Sequence, residues 1–157
     1  MIIRRWKLFA AALVALPLFT FGAATSASNT SKVSPPPTGA KTAKPLHVSF
    51  GQPVKLADYL VPGKTVVFDF YSDYCPPCVR VAPALEKLHA KRADIVVVKV
   101  DINRPGMKGI DWKSPVAAQF GLRSIPHFKV YGPDGKLLAE DGMQSSKARE
   151  MVMRWVE

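Results

Sequence analysis

Both cysteines of the chain lie in one tetrapeptide, Cys75-Pro76-Pro77-Cys78, between an apolar run of strand length and a stretch with helical periodicity. No other feature constrains the fold as much, because two thiols three residues apart at a helix start can join and part without unfolding anything. Ahead of them, Val66-Val67-Phe68 and Phe70-Tyr71 read as a buried strand, which Ser72-Asp73-Tyr74 leads out of. Behind them, Val79 to Leu88 reads as a helix with Cys78, Ala82, Leu85 and Leu88 on one face.

The helix end explains what cysteines gain there. About four backbone N–H groups at a helix N-terminus lack an intrahelical partner, and the end carries roughly half a positive charge. Cys75, near the N-cap, is expected to be exposed and held toward its thiolate by those donors. Cys78, one turn in, is expected to be deeper and shielded. The first thiol then attacks and the second resolves the mixed disulfide. Pro76 and Pro77 fit the first helical positions, where a missing N–H breaks no bond. They leave only the N–H groups of Cys78 and Val79 to solvate the sulfur.

The formal charge of +10 comes largely from outside this region. Arg4, Arg5, Lys7, Lys32, Lys41 and Lys44 precede residue 46, leaving sixteen Lys and Arg against twelve Asp and Glu beyond it. No basic block with interleaved aromatics appears, so no nucleic-acid partner is expected. Met1 to Lys7 is basic, Leu8 to Gly22 almost wholly apolar, and Ala23-Ala24-Thr25-Ser26-Ala27 offers small residues for cleavage. Residues 1–27 therefore read as a Sec signal peptide or, if uncleaved, an N-terminal membrane anchor. The stretch falls short of the roughly 20 residues a span needs, and Pro17 interrupts it. Residues 28–45, rich in Pro, Ser, Thr and Lys, read as a disordered linker. The expected location is periplasmic or otherwise extracytoplasmic, with membrane contact only through an uncleaved first segment.

One domain is expected over residues 46–157. His47 to Phe50 reads as a short strand and Val54 to Leu60 as a short helix stopped by Pro62-Gly63. Ile95 to Asp101 is an apolar run of the kind found in central parallel strands. Ser114-Pro115 opens a helix over Val116 to Phe120 that Gly121 stops. Ile125 to Tyr131 and Lys136 to Ala139 flank the turn Gly132-Pro133-Asp134-Gly135. A last helix from about Ser146 places Ala148, Met151, Val152 and Trp155 on one face. This order predicts an α/β fold, a mixed central sheet with helices on both faces.

Phe68 to Cys78 resembles the active-site strand and motif of the thioredoxin family. Pro83 matches its helix-kinking proline, Lys99-Val100-Asp101 its lysine-bearing strand, and Gly121 to Pro126 the segment ending in its cis-proline. The resemblance covers about residues 46–157 and implies a thioredoxin fold. Tyr74-Cys75-Pro76-Pro77-Cys78 departs from the family's usual Trp-Cys-Gly-Pro-Cys and is closer to exported and membrane-tethered reductases. Arg104 to Lys113 looks longer than in thioredoxin itself, and Trp112 within it reads equally as a partner contact or a loop anchor.

The resemblance also implies roles. Cys75 and Cys78 form a redox disulfide, and Asp69 takes the Cys78 proton, its carboxyl raised by desolvation between Phe68 and Phe70. Lys99 is a candidate partner of Asp69 across adjacent strands, or snorkels from the sheet edge. A cis Pro126 exposes the Ile125 backbone to an extended substrate, with Tyr74, Pro76 and Pro77 completing the substrate surface. Substituting Asn for Asp69 is expected to leave the fold as stable or more so. His127 reads as a strand residue facing solvent.

The expected function is an exported thiol-disulfide oxidoreductase that reduces protein disulfides and is recharged by an upstream donor, a membrane thiol-disulfide transporter. No cofactor and no metal are expected. For zinc, only His47, His89 and His127 could complete a set, at no recognised spacing. The rival class is a soft-metal (copper) handling or redox-inactive partner-binding module. Against copper stand the scattered Met107, Met143, Met151 and Met153.

Overall fold

A computed structural model describes residues 41–157. The expected signal peptide or anchor (1–27), and the linker as far as residue 40, lie outside the described residues. Two apolar runs make the centre of the fold. Strand β2 (Thr65–Tyr71) and β3 (Ile95–Asp101) pair in parallel along their whole length, from Thr65 opposite Ile95 to Tyr71 opposite Asp101. Strand β1 (Leu46–Val48) pairs in parallel with the far edge of β3. Strand β4 (His127–Tyr131) runs antiparallel to β2, and β5 (Leu137–Glu140) antiparallel to β4. The sheet order is β1-β3-β2-β4-β5.

Strand alternation sends successive side chains to opposite faces, and both faces are covered. Val66, Phe68, Phe70, Val96, Val98 and Val100 pack with Leu56 of a 3-10 turn (Leu56–Tyr59) and with Val116 and Ala117 of helix α2 (Pro115–Gln119). Val67, Ile95, Val97, Phe128 and Val130 pack against Leu85 and Leu88 of helix α1 (Pro76–Lys91) and Ala148 and Val152 of helix α3 (Lys147–Val156). Each fully buried Val, Leu or Phe side chain stabilises the fold by about 1.5–3 kcal/mol. Two layers of helix on a mixed sheet is the architecture the sequence implied.

The helix read over Val54 to Leu60 is a 3-10 turn confined to Leu56–Tyr59, and three further boundaries differ from the sequence reading for a physical reason. Strand β1 ends at Val48, because Ser49 (φ 77°) and Phe50 (φ 49°) turn into the left-handed region. Strand β4 begins at His127, because Pro126 before it has no N–H to give a ladder; the Ile125–Pro126 bond is cis. The third is a correction to the linker: its last residues, 41–45, are fastened to the domain. His89 of α1 is wholly buried and accepts the Val97 N–H at Nδ1 (3.0 Å), so Nε2 carries the proton and donates to the Thr42 carbonyl (2.8 Å). Lys41 adds a hydrogen bond to the Arg92 carbonyl, and Pro45 is buried. Val97 precedes the point where β1 begins to pair with β3, so α1 supplies the acceptor that β1 does not.

Candidate active site

The Cys75 residue is the N-cap of α1, with Pro76 and Pro77 in the first turn. It forms a disulfide with Cys78, the Cα atoms 5.2 Å apart. The Cys78 N–H donates to Cys75 Sγ at 3.2 Å. The Val79 N–H does not reach the sulfur; it closes the first helical turn on the Cys75 carbonyl (3.0 Å). One amide therefore faces the sulfur, where the sequence reading allowed two.

In the disulfide state both cysteines are covered, Cys75 at 2% exposure and Cys78 at 1%. This corrects the expectation of an exposed Cys75. Tyr71, Ile110 and Ile125 pack over the pair, and the Ile125 carbonyl lies 3.6 Å from Cys75 Sγ. Around them, Tyr74 (51% exposed), Pro76 and Pro77 face outward. Pro126 is buried, and its carbonyl accepts a hydrogen bond from the Arg149 guanidinium of α3. Asp141 holds the same corner, accepting from the Phe128 and Arg149 backbone N–H groups at 3.0 and 2.9 Å.

The row of side chains beneath the disulfide is set by strand register. On the α1 face, Asp69 stands opposite Lys99, and Lys99 opposite His47. Lys99 Nζ lies 3.1 Å from Asp69 Oδ2, with both side chains buried. Asp69 Oδ1 has no hydrogen-bond partner among the described residues. Burial pushes the Asp69 carboxyl up from the usual carboxylate range, and the charge and hydrogen bond of Lys99 pull it part of the way back. Lys99 Nζ also sits 4.1 Å from the centre of the Tyr71 ring. A cavity of about 240 Å³ opens beside this row, lined by His47, Tyr71, Cys78, Glu86 and Lys99 among others.

One sequence expectation is corrected here. His127 does not face solvent: it is 7% exposed, edge-on to Phe70, with Nε2 4.0 Å from Glu140. Burial holds its imidazole below the ordinary histidine range. The segment from Arg104 to Lys113 is tied to itself, since Arg104 forks onto Asp111 (2.7 and 3.0 Å) and Asn103 bonds Gly109 and Asp111. Ile110 of that loop packs on the cysteine pair, a contact that nothing local in the sequence marks. Trp112 is 42% exposed. Among the described residues, no three His, Cys, Asp or Glu side chains gather as metal ligands, and no helix is long and apolar enough to cross a membrane.

A Cys-x-x-Cys disulfide at a helix N-terminus, beside a cis-proline turn on a five-stranded mixed sheet, defines a thioredoxin-fold domain. The thioredoxin family model matches residues 53–156, well over half of the chain, and the chain belongs to that family. It is 35% identical over 77 residues to the chloroplastic thioredoxin F2 of Arabidopsis thaliana, covering 49% of this chain and 37% of that protein. A thioredoxin of Streptomyces clavuligerus is 36% identical over 75 residues, covering 48% of this chain and 63% of that protein. The match thus spans less than two thirds of the length of these curated relatives. Among solved structures, the short form of thioredoxin f from spinach chloroplast aligns with a TM-score of 0.50 and 27% identity, over 76% of this chain and 100% of that one.

Proposed function

We propose that the protein is a thiol-disulfide oxidoreductase that reduces disulfides in protein substrates. The observation that carries this reading is the Cys75–Cys78 disulfide at the N-terminus of α1, its first sulfur facing both the Cys78 N–H and the Ile125 carbonyl. In the reduced protein, the Cys75 thiolate attacks one sulfur of a substrate disulfide, and the other substrate sulfur leaves as a thiolate. Cys78 loses its proton to Asp69 and attacks Cys75 Sγ. The second substrate sulfur leaves, two electrons have passed to the substrate, and the Cys75–Cys78 disulfide is restored. The free carbonyl edge of Ile125 beside the sulfur suits an extended substrate segment, with Tyr74, Pro76 and Pro77 forming the rim.

A donor of two electrons must then reduce the disulfide, and a membrane thiol-disulfide transporter fits an extracytoplasmic domain. That location rests on the composition of residues 1–27 alone. The reading is tested by insulin reduction together with trapping. Alkylation of the reduced protein near pH 7 labels Cys75 faster than Cys78, and Cys78→Ser accumulates mixed disulfides through Cys75. Equal labelling, or trapping through Cys78 in the converse variant, contradicts the assigned order. Thiol titration with and without Cu(I) separates the metal-handling alternative, which requires both thiols to be lost to the metal while insulin stays oxidised.

A further inference from the structure

His47 is exposed on the edge strand β1, yet its Nδ1 lies 2.9 Å from the hydroxyl of the buried Tyr71. The two rings meet edge to face, with centres 5.7 Å apart. The Tyr71 ring is also the surface on which the Lys99 ammonium rests, 4.1 Å from its centre, and Lys99 in turn contacts Asp69 at 3.1 Å. His47, Tyr71, Lys99 and Asp69 therefore form one continuous chain of contacts, from solvent to the buried carboxylate beneath the disulfide. Of these residues, only Asp69 takes part in the proton-handling step described above.

We propose that His47 and Tyr71 are positioning residues for the buried ion pair: His47 Nδ1 accepts a hydrogen bond from the Tyr71 hydroxyl, fixes the phenol ring beside Lys99, and so holds Lys99 Nζ on Asp69. The direction of the hydrogen bond follows from the surroundings. Burial, then Asp101, Asp73 and Asp69, push the Tyr71 phenol well above its ordinary range, so it keeps its proton and donates. Partial desolvation, then the Lys99 cation, hold His47 below the ordinary histidine range against the opposing pull of Asp73 and Glu86, so neutral Nδ1 accepts. The charged and titratable groups facing this cluster are Asp69 and Asp73 from β2 and its exit, Lys99 and Asp101 from β3, and Cys78 and Glu86 from α1.

The inference deepens the assignment of Asp69 as proton carrier and is tested apart from it. In reduced full-length protein, the carboxyl carbon of Asp69 is titrated by NMR, which reads the ion pair whether or not Asp69 serves as a base. Loosening Lys99 removes the groups that draw the Asp69 carboxyl down, so its midpoint moves upward in both His47→Ala and Tyr71→Phe. The two singles shift alike and the double variant shifts no further, since both break the same bond. His47→Asn presents an oxygen near the place of Nδ1 and returns the midpoint to the wild-type position. A wild-type midpoint in His47→Ala, additive shifts in the double variant, or no rescue by Asn overturns the proposal. The base assignment is read separately, from the pH profile of turnover in Asp69→Asn.

Discussion

Asp69 and Lys99 show how far a single residue's consequences depend on its partner. The desolvated carboxylate was legible from its apolar flanks, Phe68 and Phe70, and on that basis its removal was expected to leave the fold as stable or more so. The pair changes that expectation. With Lys99 buried at 3.1 Å, Asp69→Asn strands an ammonium without a counter-charge, and losing one member of a buried pair costs on the order of 3 kcal/mol. The urea midpoint of Asp69→Asn should therefore fall, and Lys99→Met in the same background should recover most of the loss. Turnover of Asp69→Asn should drop near neutral pH and recover in part at higher pH, where Cys78 ionises unaided. A wild-type midpoint for the single variant would mean that Asp69 is already neutral in the native protein at the pH of measurement.

Two elements depend on contacts made far along the chain. The turn after β1 carries Gly51 at φ +77°, and a Cβ there would meet the Arg104 backbone nitrogen at 2.6 Å. Its N–H and carbonyl also bond Asp101 and Val116, so the turn cannot shift freely. Gly51→Ala should destabilise the protein by more than about 1 kcal/mol, measured by urea unfolding. His89 joins α1, β3 and residues 41–45, and burial holds its imidazole below the ordinary range. Unfolded histidine titrates at about 6.5. Below that value the unfolded chain binds a proton the native state resists, so stability is full above it and declines as pH falls toward the depressed native value. A His89→Gln variant should show a shallower decline over that window, though a lower stability above it. Local patterns revealed the strands and helices themselves, since apolar runs and cap residues act within a few positions. Register between parallel strands is a long-range result. Nothing near His47 marks it as facing Lys99, and nothing near Ile110 marks it as a cover for the disulfide.

Across the whole molecule, the two apolar layers share β2 and β3, with Phe68 buried in one and Phe128 in the other. Neither layer can open without exposing the strands that support its counterpart. Phe68→Ala and Phe128→Ala should each cost about 3–5 kcal/mol, and unfolding should remain one transition by circular dichroism and tryptophan fluorescence alike. Two separated transitions would show that the layers are independent. The mixed sheet and its helical cover followed from the order of apolar runs, whereas the fastening of residues 41–45 could not, because their composition alone argues for disorder. That fastening has a directional result. Thr42 and Lys41 meet α1 at His89 and Arg92, whereas Cys75 caps its opposite end, about 24 Å away for a helix of 16 residues. The domain thus has a stem and a tip: residues 41–45 are tied down at the stem, and the two sulfurs sit at the tip.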